Sequence, residues 1–293
     1  MANDQGIAVN QAAPHPELLG AKARATGRRP RSTLRKVLRS PAVLGTFGVV
    51  IVLAIGEFAP LIGLVRKDVF PPIGDSLSAL VTQVQLGAFW IAVGQTMEGW
   101  AVGLAIAFVL GVALGALIGA NRVIYGALQP TIDFLRSIPG IAALPLAILA
   151  FGDFFKEKVF LIVFGAIWYF VIQTTYGVRS VDTVARDTVR SFGFGRLART
   201  RHLVLPSAVP YIATGLRLAA SVALAIGVTV ELLSGAPGIG QRLFLASQSV
   251  TALPVMYALV IFTGALGIVI QLGCQWLERR VLRWHPSNHG EQL

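Results

Sequence analysis

An all-α integral membrane protein that crosses the bilayer six times is the fold class this sequence predicts. Its 293 residues are 55% hydrophobic and 13% charged, with a mean hydropathy of +0.69, whereas charged residues make up about a quarter of an ordinary soluble chain. The apolar residues fall into runs near the length of about 20 that a helix needs to cross the hydrocarbon. Basic residues gather in the polar segments between alternate runs. The length would allow two soluble domains, but those need polar surface on every side, and the stretches from Ala42 to Leu64 and from Trp90 to Ala120 contain almost none.

Residues 1–40 are polar, rich in Ala, Pro and Gln, and carry eight basic residues between Lys22 and Arg39. Nothing there can bury a core, so a disordered cytoplasmic tail that lies on anionic lipid is expected. A cleaved signal peptide competes, because arginines precede an apolar run. The preamble is long for that, the run extends past Ala54, and no small-x-small site follows it. The first span is expected at Val43–Gly63, so that residues 41–69 hold one crossing and the start of an outer loop. From Phe70 to Leu86, Pro71-Pro72 and Asp75 suggest a helix start. Leu77, Leu80, Val81 and Val84 then share one face, as in an amphipathic helix at the interface.

The second span, Val93–Ala120, has small residues four apart at Gly99, Gly103, Ala107, Gly111, Gly115 and Gly119, a seam for close backbone approach. The third, Leu128–Phe151, is interrupted by Pro139 and Pro145, where kinks are expected. Val159–Val178 is the fourth. The fifth, Val209–Leu233, repeats the small-residue device with Gly215, Ala219, Ala223 and Gly227, and Leu253–Cys274 is the sixth.

The net charge of +11 would suggest nucleic acid in a soluble chain. Here the basic residues do not interleave with aromatic ones, so no nucleic-acid partner is expected. With the N-terminus inside, cytoplasmic segments hold 18 basic residues and the opposite segments hold five. That asymmetry places both termini in the cytoplasm. One cysteine, Cys274, in an apolar run implies neither a disulfide framework nor a Cys-based metal site.

The sequence has no G-x-x-x-x-G-K-[ST] phosphate loop, H-E-x-x-H or C-x-x-C, and its four histidines lack metal-ligand spacing. Gly74-Asp75-Ser76-Leu77 spells a serine-esterase motif, but the D-x-x-H that would supply its base is missing. Asp75 as the cap of the interfacial helix accounts for the same letters. The glycine-rich Gly235–Gly240 follows an apolar helix and not a strand, so a tight turn at the outer face explains it better than a dinucleotide loop. No catalytic residue, metal or cofactor is assigned to the chain.

One polar segment between spans is long enough to be a device: Arg179–Ser207. It contains Asp187-Thr188-Val189, then Gly193 after three residues, then Leu203-x-Leu205-Pro206 after nine more. This spacing resembles the cytoplasmic E-A-A-x3-G-x9-I-x-L-P loop of the permease subunits of ATP-binding-cassette (ABC) importers. Gly193, Leu205 and Pro206 match in type, while Asp187 replaces Glu and Thr188 and Val189 replace the alanines. Leu135–Pro139 followed by Ala143–Leu146 and Phe151-Gly152 resembles the third-span signature of nitrate, sulfonate, taurine and bicarbonate permeases. Gly215-Leu216-Arg217, Glu231 with Gly238–Gly240, and Leu282–Pro286 extend the likeness over residues 70–286. A purely topogenic loop would explain the arginines but not the glycine and proline spacing.

The resemblance implies a type I importer transmembrane fold, with a permease core at 70–286, a coupling loop at 179–207 and a cytoplasmic tail at 287–293. It implies that Asp187, Thr188, Val189, Gly193, Leu205 and Pro206 contact a separate ATPase. Two such ATPases would hydrolyse the ATP, an extracytoplasmic binding protein would deliver the solute, and two permease copies would build the pathway. The solute would be a small oxyanion, with aliphatic sulfonate or taurine before nitrate or bicarbonate. Physically, a short helix ending near Gly193 suits a glycine-assisted left-handed turn, and Pro206 suits the first turn of the next span.

Ionisable residues inside the membrane are functional candidates, since a central charge costs about 2.5–3.5 kcal/mol on insertion scales. Glu231 lies near the outer end of its span and either forms an outer gate or braces the Gly235–Gly240 turn. Arg136 either attracts an anion or pairs with Asp133 one turn away. Arg217 attracts an anion or reaches the cytoplasmic interface. A self-contained secondary transporter or channel is the alternative; it would show paired inverted repeats with broken midplane helices.

Overall fold

The computed structural model describes residues 41–66 and 69–282. The expected tail at 1–40, the C-terminal segment 287–293 and most of the Leu282–Pro286 motif lie outside the described residues. Contacts divide the chain after Leu53. Residues 41–53 are the first part of helix α1 (Pro41–Leu61), and the unit from Ala54 onward holds the remaining elements. These are α2 (Ile73–Val84), α3 (Gly87–Ala120), α4 (Arg122–Ser137), α5 (Leu144–Phe151), α6 (Phe154–Arg179) and α7 (Thr183–Ser191). They continue with α8 (Arg196–Arg199), α9 (Leu205–Ser234), α10 (Ile239–Ser247) and α11 (Leu253–Val281), with no strand among the described residues.

Among the described residues four segments are long and apolar enough to cross a membrane, and the bent pair α4–α5 makes a fifth if it counts as one crossing. The remaining expected span, the first at Val43–Gly63, corresponds to the 21-residue α1, whose Val50–Leu61 part is apolar. The long spans also outrun their expected limits. α3 begins six residues before Val93 and α11 runs seven past Cys274, because helices continue into the interface beyond the apolar core.

α3 packs along α6 through the small-residue seam. A Cβ on Gly103 would meet Ile162 Cβ at 2.8 Å, one on Gly111 would meet Phe170 Cβ at 2.6 Å, and one on Gly115 would meet the Val171 carbonyl oxygen at 2.6 Å. The backbones therefore touch where lipid gives no hydrophobic push, and van der Waals contact supplies the attraction. Two polar bridges stitch the layer: Thr175 Oγ1 donates to the Gly115 carbonyl at 3.1 Å, and Trp100 Nε1 donates to the Ala220 carbonyl at 2.9 Å. Ala107, Phe170 and Ala220 sit in the centre of the α3–α6–α9 core with no exposed surface.

The third expected span is not a kinked helix but a broken one. α4 ends at Ser137, a short 3₁₀ turn at Gly140–Ala143 intervenes, and the two halves are bent by 83°. Pro139 has no N–H to continue the ladder and forces Ile138 into an extended backbone, at φ −74° and ψ 119°. Pro145 does not kink anything; it occupies the first turn of α5, where its missing N–H costs nothing. Gly140 then seats against α6, where a Cβ would meet the Cα of Gly165 at 3.3 Å.

α2 also departs from expectation. Asp75 is in its first turn but does not cap it; instead Glu57 Oε2 accepts the Gly74 N–H at 2.8 Å. The face that packs inward uses Ser76, Leu80 and Val84, whereas Leu77 and Val81 are exposed.

At the far end, one ion pair ties three helices to the Gly235–Gly240 turn. Lys158 of α6, counted in the sequence as an outer-segment residue, is buried: its side chain is 4% exposed and that of Glu231 is 0%. Its ammonium donates to Glu231 Oε1 at 2.8 Å, to the Gln95 carbonyl at 3.0 Å and to the Pro237 carbonyl at 3.2 Å. Glu231 Oε2 accepts from Thr96 Oγ1 at 2.8 Å and from the Gly240 N–H at 3.0 Å. Thr96 Oγ1 in turn accepts the Ile239 N–H at 2.9 Å. Gly238 and Gly240 admit this arrangement, since a Cβ on Gly238 would strike the Glu231 carboxylate and one on Gly240 would strike the Val228 carbonyl oxygen.

Two stability outcomes follow for the protein purified in detergent or lipid nanodiscs. Gly115→Ala should lower thermal stability by about 1–3 kcal/mol through overpacking, while Gly94→Ala on the same helix, where nothing lies within 4 Å, should be neutral or slightly stabilising; equal effects would show that the seam is not tight. Glu231→Gln leaves Lys158 buried without a counter-charge and should cost about 3–5 kcal/mol. The double variant Lys158→Met, Glu231→Met should recover part of that loss, keeping a deficit of about 1–3 kcal/mol for the orphaned Gly240 N–H; a double variant as weak as the sum of both singles would refute the pairing.

Candidate functional site

The polar segment between α6 and α9 forms a protruding helical device. Asp182 Oδ1 caps α7 by accepting the Val184 N–H at 3.0 Å, and Arg186 Nη2 anchors it by donating to the Val178 carbonyl at 2.9 Å. The helix ends at Ser191, and Gly193 turns the chain at φ +75° with open space around it. A residue with a side chain there would carry the left-handed penalty of about 1–2 kcal/mol. Asp187 and Thr188 are exposed, and Val189 is half-buried. Ser191 Oγ folds back to the Asp187 carbonyl and Thr188 Oγ1 to the Val184 carbonyl, so the three motif positions act as helix surface.

Pro206 lies in the first turn of α9, as expected, but the chain before it is already helical: helix runs from Arg196 through α8, a π-helical turn at Thr200–Val204, and α9. The widened turn falls directly before Leu205-Pro206, where a proline ring would crowd the carbonyl four residues back and cannot donate to it. Leu205 and Pro206 are both exposed. The sequence reading also passed over the apolar residues of this device. Phe192 is 76% exposed and Leu197 is 83% exposed, and the signal was available, since bulky apolar residues in an arginine-rich polar loop have no core to enter.

A cavity of about 450 Å³ lies under the α4–α5 break. Asp133 and Arg136 come to its wall from α4, Gly140 from the break, Trp168 and Tyr169 from α6, and Ile226 from α9. Ile226 fills the floor, because Gly140 and Gly165 leave room for its Cδ1 where a Cβ on either would collide with it or press it closely. Arg136 Nε is paired with Asp133 Oδ1 at 3.0 Å, and both side chains are about half exposed. Trp168 and Tyr169 were missed in the sequence, since aromatic residues in an apolar run look the same whether they face lipid, core or cavity.

The other two ionisable candidates go elsewhere. Glu231 lies in the closed cluster with Lys158, Thr96 and the Gly240 N–H, and no part of it meets the 450 Å³ cavity. Arg217 Nη1 stands 3.6 Å from Glu278 Oε2 of α11, linking two spans. Neither partner, Lys158 nor Glu278, was legible from spacing, because each is separated from its mate by tens of residues.

Residues 107–283 match the family described as binding-protein-dependent transport system inner membrane component. The chain is 34% identical over 198 residues to the bicarbonate transport system permease protein CmpB of Synechococcus elongatus, covering 67% of this chain and 70% of that one. It is 33% identical to the nitrate import permease protein NrtB of Leptolyngbya laminosa, over the same shares, and 34% identical to SsuC of Escherichia coli, named for aliphatic sulfonate transport, over 55% and 61%. Among solved structures it resembles a chain of the MetNI methionine ABC transporter, with a TM-score of 0.58 and 19% identity over 66% of this chain and 96% of that one. A bacterial ABC transporter that imports alginate gives a TM-score of 0.59 and 18% identity over 85% and 99%. The fold is that of ABC transporter membrane subunits, and the matched family and relatives agree: this chain belongs to the binding-protein-dependent transport system inner membrane components, the permease subunits of ABC importers.

Proposed function

We propose that this permease carries a small oxyanion across the inner membrane, with both termini in the cytoplasm, and that two copies together build its pathway. The relatives are named for bicarbonate, nitrate and aliphatic sulfonates, all oxyanions; an aliphatic sulfonate or taurine is the first choice. An extracytoplasmic binding protein delivers the solute. The energy comes from two separate ABC ATPases that bind and hydrolyse ATP, while this chain binds no nucleotide and no other cofactor and catalyses no reaction itself.

The observation that carries the reading is the exposed helix α7 with its left-handed stop at Gly193. Asp187, Thr188, Val189 and Gly193 form a rigid projection, with Leu205 and Pro206 at the entry to α9. Phe192 and Leu197 stand out from it as apolar knobs that water alone would not favour, and a cleft in the ATPase would bury them. Movement of the ATPases toward each other would then pass through α7 and the continuous 196–234 helix into the spans.

Co-purification of the ATPase with the permease tests this. Phe192→Ala and Gly193→Asp should each lower ATPase recovery at least about tenfold, equivalent to about 1.4 kcal/mol, and deletion of residues 187–193 should abolish it. The melting temperature of Phe192→Ala should stay at the parent value, since the residue is 76% exposed. Undiminished ATPase binding by these variants, or solute uptake into liposomes without any nucleotide, would overturn the proposal.

A further inference from the structure

We infer that the cavity under the α4–α5 break receives a zwitterion, a small solute that carries an amine as well as an oxyanion. The inference rests on the oxyanion reading above and narrows it. Asp133 and Arg136 are the only charged residues on the cavity wall, and they lie 3.0 Å apart, so the wall carries both signs and no net charge. An anion drawn to Arg136 also meets the like charge of Asp133 beside it, which offsets much of the attraction. A solute bearing both charges replaces one internal pair by two charge-assisted ones and leaves no group unmatched.

The rest of the wall fits the same solute. The Nη donors of Arg136 and the Oδ2 acceptor of Asp133 make no other hydrogen bond among the described residues, so both are open to a ligand. Trp168, which lines the cavity, also carries a shielded indole N–H with no partner among the described residues. The rings of Trp168 and Tyr169 offer faces that attract an ammonium, and Ile172, Val222 and Ile226 offer apolar contact for a short carbon body. A volume of about 450 Å³ is ample for such a molecule and wasteful for a bare triatomic or tetraatomic anion.

Direct binding to the permease–ATPase complex in lipid nanodiscs, without the binding protein, tests the inference by calorimetry with taurine, ethanesulfonate and nitrate. Taurine should bind at least tenfold more tightly than ethanesulfonate, and nitrate should bind more weakly than either. Asp133→Asn should remove the preference for the amine while leaving ethanesulfonate bound as tightly or more tightly; Arg136→Gln should weaken both sulfonates. Both residues are half exposed, so the variants should keep the parent melting temperature, and the comparison of solutes on the parent protein stands without them. Equal affinity for taurine and ethanesulfonate, a preference that survives Asp133→Asn, or no binding of any of the three would overturn it. If ATP-driven uptake of ethanesulfonate or nitrate persists in that event, the oxyanion reading stands and the zwitterion alone falls; if no oxyanion is taken up, both fall.

Discussion

Lys158 has three ammonium protons, and each is matched: one to the Glu231 carboxylate, one to the Gln95 carbonyl and one to the Pro237 carbonyl. Full matching is what permits two opposite charges to sit where almost no water reaches. Because the acceptors belong to α3, α9 and the turn after α9, the pair fixes the ends of three helices relative to one another. Gly99 lets the lysine stem pass, since a Cβ there would meet Lys158 Cε at 2.5 Å. The glycines of the Gly235–Gly240 turn serve the same cluster, by keeping clear of the carboxylate and by presenting the Gly240 N–H to it.

From that clamp the rest of the bundle follows by close approach. α3 and α6 run together along a line of glycines, so their relative position is set to a fraction of an ångström by backbone contact and not by interchangeable side chains. α6 is then a fixed wall for the broken segment, which rests Gly140 on Gly165 and leaves the cavity beside it. α9 runs from the helical segment that begins at Arg196 to the clamp at Glu231, and it contributes Val222 and Ile226 to the cavity wall on the way. The π-turn before Pro206 lies at the junction, where a widened ring of backbone is easier to deform than a regular helix.

Much of this was legible in the sequence. Apolar length located the long helices, small-residue spacing marked the seam between α3 and α6, and the glycine interval marked the turn that ends α7. Misreadings came where one chemical signal has two structural outcomes. Pro139 and Pro145 looked alike as helix interrupters, yet one breaks the span and the other starts a helix. Pro206 does fall in the first turn of α9, but the π-turn that precedes it left no mark in the sequence. Lys158 looked like an outer-loop charge because the run that follows it is apolar and the burial of its stem depends on Gly99, far away in the chain.

The sequence by itself determined that the chain is helical, lives in a membrane, and carries a polar helix-and-turn segment between two of its long apolar helices. Those properties depend on hydropathy, helical period and local backbone chemistry, all of which act over a few residues. Only the tertiary structure decided that Glu231 belongs to a closed ion pair, that Arg217 meets Glu278, and that Arg136 with Asp133 shares a wall with Trp168. Charge–charge and packing partners are set by which helices touch and in what register. Residues as far apart in sequence as Thr96, Lys158 and Glu231 come within hydrogen-bond reach only after the glycine seam has brought their helices together.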